Sequence, residues 1–528
     1  MVQQWGIKFA VLLITDHFGK IVANVCEKLL KQGPLTLDLL VRYTELSTLK
    51  LWLQCCFEDL KVLYIVLIMV LNCVFGCGCA VKLYVAVKFG VTIDESKVKT
   101  QYLVLFDNIL HRARFPKFME IVSEELGDKC AQIFKGLLHN GRLNLKQMVD
   151  RASQEKAEAE DTVRESLCKL LMARYVERCP IPEVSIVEEV DDKKKRGSKA
   201  AKEFKAPVTT EDRVREAATH GDTARFSLTA DTGYNSDEET KPSDISVAEN
   251  VAKEESTLWR ANFEEFIRYL RDKALIENVR TRMDDGAATV LRAILEATRN
   301  KEKQVKIEKS VPLPLDTIFT EVMKTENGRT MTMDRVKASL VQLGCSNQML
   351  YEYIIDLEHI IHWARNEEVE SIVLKRYGRD AYRMFRYLSK AKQFCPTDKI
   401  ADDTLVEKKE APKLLFKLWK ENYLQMEKVT VTLSAGNTGK LSTIYMWQVN
   451  QPLLWEHVLD ELYHGALNLK LRIAFEQETN EEILNIPKKK INDSEPLRKK
   501  HRRLQNVILL LGSSLIKLDD TIMLFNDF

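Results

Sequence analysis

The side chains of this chain that could do chemistry are mostly cations, and their spacing suits a polyanion better than a reaction centre. Lys408, Lys409, Lys413, Lys417 and Lys420 recur along one helical stretch, with Lys413 and Lys417 four apart on one face. Such a row neutralises phosphates. It lacks the Asn, Gln and Arg set needed to read base edges, so it implies DNA binding without sequence preference. Arg335 and Lys337 take exposed positions on a second helix, Met333 to Leu343, and join Lys409, Lys413 and Lys417 as candidate DNA contacts. Arg112, Arg114 and Lys117 form a third cluster, read as a solvated helix end rather than a phosphate contact. Lys193, Lys194, Lys195 and Arg196 are a candidate nuclear-import signal.

Nothing comparable points to catalysis. Cys73, Cys77 and Cys79 lie close, but no second Cys or His group has partner spacing, so they read as ordinary thiols. His359 and His362 fall in an apolar helical run and read as core or boundary histidines. Thr438-Gly439-Lys440 lacks the upstream glycine of a phosphate loop. There is no His-Glu-x-x-His, no serine elbow and no Asp triad of the polymerase type, which argues against an enzyme. No cofactor, metal or small-molecule ligand is expected.

The elements that must carry these cations are announced by an internal repeat. Gly19 is followed fourteen positions later by Gly33, and Gly127 by Gly141. A leucine pair precedes each second glycine (Leu29-Leu30, Leu137-Leu138), and an apolar-x-apolar step follows it (Leu35, Leu37; Leu143, Leu145). A weaker copy starts at Tyr377-Gly378, with Leu388 in the place of Leu29 and Phe394 in that of Leu35. The unit reads as a helix, a short β step and two more helices: a helix-turn-helix domain with a wing. At 528 residues there is room for several such domains. The net charge of +2 confines any basic surface to local patches, and eleven unpatterned cysteines suit a reducing compartment.

In chain order, the expected architecture is mostly α with small β wings: four tandem winged-helix domains and a C-terminal coiled-coil helical hairpin. Residues 1–98 hold the first winged helix, with an anomalous apolar segment at 62–91. Residues 99–187 hold the second, with Tyr175 to Cys179 as wing strand. The polar stretch 188–256 cannot bury enough apolar area to offset its ordering entropy and reads as a disordered linker. Residues 257–365 hold the third winged helix, opened by Trp259-Arg260-Ala261-Asn262 and with Ile360 to Ala364 as wing; 366–450 hold the fourth, whose wing turns at Gly436-Asn437. In 451–528, Leu504, Ile508, Leu511, Leu515, Leu518 and Ile522 alternate four and three apart, a coiled-coil seam. The uncharged run Val62 to Val81 is long enough to span a bilayer. It is broken by Asn72, Gly76 and Gly78, and no membrane role is expected.

Several stretches carry a resemblance: Ile7–Gly19, Asn108–Phe118, Leu137–Leu145 and Arg174–Pro180 in the first half, Leu258–Phe266, Leu270–Asp284 and Val369–Arg386 in the second. On these the chain resembles the third-named, winged-helix subunit of DNA-directed RNA polymerase III, related to the alpha subunit of transcription factor IIE. From about Leu49 to Lys97 the pattern is lost. The resemblance implies a non-catalytic nuclear subunit in a heterotrimeric subcomplex on the clamp side of the enzyme. Its implied partners are other polymerase III subunits, initiation factor IIIB and promoter DNA, opened for transfer-RNA and 5S genes. The alternative on the residues alone is a winged-helix scaffold of a ubiquitin-ligase or proteasome-lid assembly; another is a membrane-anchored regulator using Val62–Val81.

Overall fold

The computed structural model describes residues 3–44, 86–94, 97–156, 160–179, 184–187, 213, 225–228, 257–299, 301–302, 305–349, 352–433, 440–486 and 495–528. The chain divides into two compact units, 1–266 and 267–528. The apolar run Val62–Val81, the cysteines at 73, 77 and 79, and the basic run 193–196 lie outside the described residues.

The first unit holds α1 (Gln4–Gln32), α2 (Leu37–Thr44), β1 (Ala86–Asp94) and β2 (Lys97–Val104). It continues through α3 (Phe106–Ala113), α4 (Phe115–Leu126), α5 (Asp128–Asn140), α6 (Leu145–Lys156) and α7 (Glu160–Met172). The strands β3 (Val176–Arg178), β4 (Val184–Val187) and β5 (Trp259–Ala261) follow, and the boundary between the units falls within α8 (Phe263–Arg282). By composition α1 is long and apolar enough to cross a membrane. It breaks at Gly19, however, and buries Ile7, Phe9, Leu13, Val25 and Leu29.

The second unit holds α9 (Asp285–Thr298), β6 (Leu313–Pro314), α10 (Leu315–Lys324), α11 (Met333–Gln342), β7 (Ser346–Met349) and β8 (Glu352–Ile354). Then come α12 (Leu357–Tyr377), α13 (Arg379–Ala391), β9 (Cys395–Pro396), α14 (Thr397–Thr404) and α15 (Ala411–Lys420). The wing strands β10 (Gln425–Leu433) and β11 (Lys440–Gln448) lead to α16 (Gln451–Thr479), α17 (Glu481–Leu484) and α18 (Glu495–Asn526).

The repeat is written in backbone angles. Gly19 (φ 83, ψ 171), Gly127 (φ 87, ψ 169) and Gly378 (φ 87, ψ −177) each separate two helices in a region open essentially to glycine alone. Fourteen residues on, Gly33, Gly141 and Lys392 all have positive φ, and their N–H groups reach the carbonyls of Leu29, Leu137 and Leu388. Those three leucines are buried. Asp284 caps α9 in the third copy, accepting from Ala287 N at 2.7 Å.

The other end of the unit repeats too. Arg174, Gly344 and Asn422 have positive φ after α7, α11 and α15. The next residue's N–H (Tyr175, Cys345, Tyr423) donates to Leu170, Leu340 and Leu418, all fully buried. This is the helix-ending pattern that satisfies orphan carbonyls and turns the chain into a strand.

Each β step pairs with the second wing strand. Leu35 exchanges both backbone hydrogen bonds with Tyr102 on β2, and Leu143 does so with Trp259 on β5. The sheet orders β6-β8-β7 and β9-β11-β10 repeat the arrangement. The step in the fourth copy falls at Cys395, buried, not at the expected Phe394, which is 36% exposed. One residue more precedes the strand there.

One expected wing and one expected domain start are corrected. Ile360 to Ala364 lie inside α12; the strands of the third copy are β7 and β8, before it. Trp259–Ala261 do not open the third copy. They pair with β3, and Asn262 donates its side chain to Arg174 O at 2.8 Å, so they close the wing of the second copy. The stretch read as a linker, 188–256, therefore falls within a hairpin rather than between domains. Compositional change marked an insertion, and composition alone cannot distinguish that from a boundary. Inside the same hairpin, β4 pairs in parallel with β1, and Arg225 and Phe226 rest on the second copy.

Arg114 is 1% exposed, not the solvated helix end expected. The corner between α3 and α4 packs it beside His111, and Arg112 lies over the rings of Phe18 and Phe115.

Candidate nucleic-acid interface

The strongest basic helix, α15, begins with Pro412 in its first turn and buries Ala411, Leu415 and Leu418. That three-four spacing fixes which side faces out. Lys413, Phe416, Lys417, Trp419 and Lys420 line the outer side, and Lys409 is exposed in the turn before the helix. Behind α15 stands the wing. Trp447 is fully buried and donates Nε1–H to Thr397 Oγ1 at 2.8 Å, tying β11 to α14. The ring of Phe416 meets Trp447 edge-on at 5.1 Å and Tyr445 at 5.4 Å. In register, Lys428 stands opposite Tyr445, on the same wing face.

The lysines are not equivalent. Lys408 is tied to Asp402 at 2.9 Å and Lys413 to Glu410 at 2.8 Å. Both carboxylates raise the proton affinity of their lysines and keep them charged. Lys417 lies 5.3 Å over the ring of Tyr377. On α11, Arg335 is clamped to Asp284, the cap of α9, whereas Lys337 is exposed. The five candidate contacts therefore fall on two helices and the turn before one of them, and Arg335 already serves a helix cap. All are at the surface, where each phosphate contact adds modest, salt-dependent affinity.

Sequence reasoning does not mark Phe416 and Trp419 as surface residues, yet they are 36% and 41% exposed. Their signal is two aromatics three apart and interleaved with lysines, a pattern shared by any helix that buries aromatics. Exposed rings beside cations suit an unpaired base better than a duplex edge. Among the described residues no group of three metal-ligating side chains gathers.

The six residues read as a seam lie on α18, which packs against α16. Leu504 and Ile522 are buried. Gly465 of α16 faces Leu518. The end of α18 is anchored: Leu524 and Phe528 pack on the core of the third copy, and Arg365 donates to their carbonyls at 3.0 and 3.2 Å.

Comparison with known proteins places these observations. The family model described as the RNA polymerase III subunit RPC82 helix-turn-helix domain matches residues 8–50, and that of RNA polymerase III subunit RPC82 matches 165–362. The POLR3C C-terminal winged-helix domain matches 369–449, the segment that carries α15 and its wing. A protein of Danio rerio called DNA-directed RNA polymerase III subunit RPC3 is 22% identical over 498 residues, covering 90% of this chain and 86% of its own. The Homo sapiens protein of that name is 21% identical over 505 residues, covering 91% and 86%. One from Dictyostelium discoideum is 32% identical over 89 residues, 15% of this chain and 13% of that protein. Matches to one subunit thus run in order between residues 8 and 449, and the chain belongs to the RPC3 (RPC82) family of RNA polymerase III subunits.

Proposed function

We propose that this chain is a non-catalytic, nuclear subunit that helps recruit RNA polymerase III to promoters of transfer-RNA, 5S and other small RNA genes and helps open the DNA there. Four tandem winged helices would form the body, and the α16–α18 pair a coiled-coil hairpin. Its partners would be the other subunits of a heterotrimeric subcomplex on the clamp side, and initiation factor IIIB. The observation that carries the DNA part is the outer face of α15, where Lys413, Lys417 and Lys420 flank Phe416 and Trp419. A helix of this make-up grips backbone and stacks bases; it has no side chains set to discriminate them.

The test has two arms. Affinity purification of the tagged chain should bring down the large polymerase III subunits; recovery with ubiquitin-ligase or proteasome subunits instead would reject the assignment. Fluorescence anisotropy with mixed-sequence oligonucleotides should show weak binding that falls steeply with salt, and Lys409, Lys413 and Lys417 changed together to Ala should weaken it. Unchanged affinity rejects the proposed DNA face. For the hairpin, removing 451–528 would also strip Leu524 and Phe528 from the third core. Polar substitution of Leu509 and Leu510, 71% and 65% exposed, tests partner release without that damage.

A further inference from the structure

The insertion between β3 and β5 spans about eighty residues (179–258), and one short piece of it is fastened to the second copy. Arg225 donates from Nε to Glu177 on β3 and from Nη2 to Glu264 on α8, the latter at 3.1 Å. The Glu177 side chain is 4% exposed and also accepts from Arg260 Nε at 2.6 Å. The next residue, Phe226, has the guanidinium of Arg174 5.2 Å from its ring centre and that of Arg225 at 5.1 Å. Arg174 is the positive-φ residue that ends α7, so its position is set by the turn itself.

These contacts have the make-up of a peptide-binding site. Two carboxylates on different elements, one of them buried, face one guanidinium. A planar fork satisfies both, which a point-charge ammonium cannot. A cation over the following ring selects an aromatic. Ordering even two residues in a long excursion costs about 1–2 kcal/mol each in backbone entropy, so the contact has to be strong to persist. We propose that Glu177, Glu264 and Arg174 form a socket for an arginine–aromatic pair on the second wing. Its occupant is Arg225-Phe226 of the same chain. Held there, Arg225-Phe226 is a fixed point within the insertion.

The test uses the full-length chain and chymotrypsin, following cleavage of the Phe226–Ser227 bond by mass spectrometry. Cleavage of a latched segment follows the population of its open form. In the native chain this bond should be cut slowly. Arg225→Ala and, separately, Glu264→Ala should each speed the cut, the first by about tenfold or more given the loss of charge-assisted hydrogen bonds. Arg225→Lys should fall nearer to Ala than to Arg. Arg225 lies in the insertion, outside the β3–β5 pairing, and Glu264 is partly exposed, so both variants should keep the native circular-dichroism melt. Cleavage as fast in the native chain as in Arg225→Ala overturns the proposal. So does a Glu264→Ala chain cut at the native rate, and a lysine as protective as the arginine removes the claimed selectivity.

Discussion

The second and fourth copies share a plan and differ in what they do with it. Both begin at a glycine of matching angles, Gly127 and Gly378, and end their third helix on a buried leucine, Leu170 and Leu418. Both pair the β step with the returning wing strand. The fourth wing is built of two nine-residue strands, with Gln425 opposite Gln448 and Leu433 opposite Lys440, beside a helix studded with lysines. The second wing has three-residue strands, opens into a long insertion, and carries a buried glutamate, Glu177, between two arginines. The helix ends and sheet order are held by backbone hydrogen bonds and core packing. The outer helix face and the length of the wing are set by neither, and there the two copies have diverged.

That comparison can be broken at several depths. The largest effect should come from Leu170→Ala and Leu418→Ala. Each removes a fully buried side chain and should cost the copy containing it about 2–5 kcal/mol, read by hydrogen exchange of that copy. A large loss in one and none in the other would mean the copies are not built alike. Next come Gly127→Ala and Gly378→Ala. A Cβ at either position meets nothing within 4 Å, so the penalty is the backbone's alone, about 1–3 kcal/mol in both. Unequal melting shifts would show that the matched angles do not carry matched strain.

A smaller effect sharpens the functional contrast. Replacing Lys409, Lys413 and Lys417 by Ala should lower DNA affinity roughly tenfold and reduce the salt slope by about 0.7–0.9 for each phosphate no longer neutralised. Lys169→Ala on α7, whose exposed face also carries Glu160, Asp161 and Glu165, should leave both unchanged. The smallest effect has the opposite sign. Lys392 occupies the place of Gly141 with φ 50 and ψ 19, and Lys392→Gly should relieve strain and raise stability by up to about 1 kcal/mol. A lower melting temperature would mean that Lys392 makes interactions that outweigh its angle.

The parts of this molecule legible from sequence were those with a local cause. Glycine spacing betrayed the repeat because a left-handed angle leaves few alternatives. Helices α9, α11 and α15 followed from apolar periodicity. The failures were non-local. Nothing near Trp259 says that it pairs with Leu143 and Arg178, because strand partners separated by an insertion leave no periodic trace. Ile360 to Ala364 have the β-branched look of a wing, but capping by Asp356 and packing of Ile360 and Ile361 into the third core make them helix. Arg114 looked solvated because its charge is local information and its burial is not. At the basic face the cations were visible one by one, while the engagement of Arg335 with Asp284, fifty-one residues away, was not.

The late return of β5 has a consequence for how the polypeptide is made. When β3 leaves the ribosome, the strand that completes its sheet has yet to be translated. At about 5–20 residues per second the delay is on the order of ten seconds. During that interval β3 presents an unpaired edge, a template for pairing with the wrong neighbour. Nascent chains of this protein should therefore need a chaperone's shelter between codons 179 and 261 more than at any later stage of synthesis.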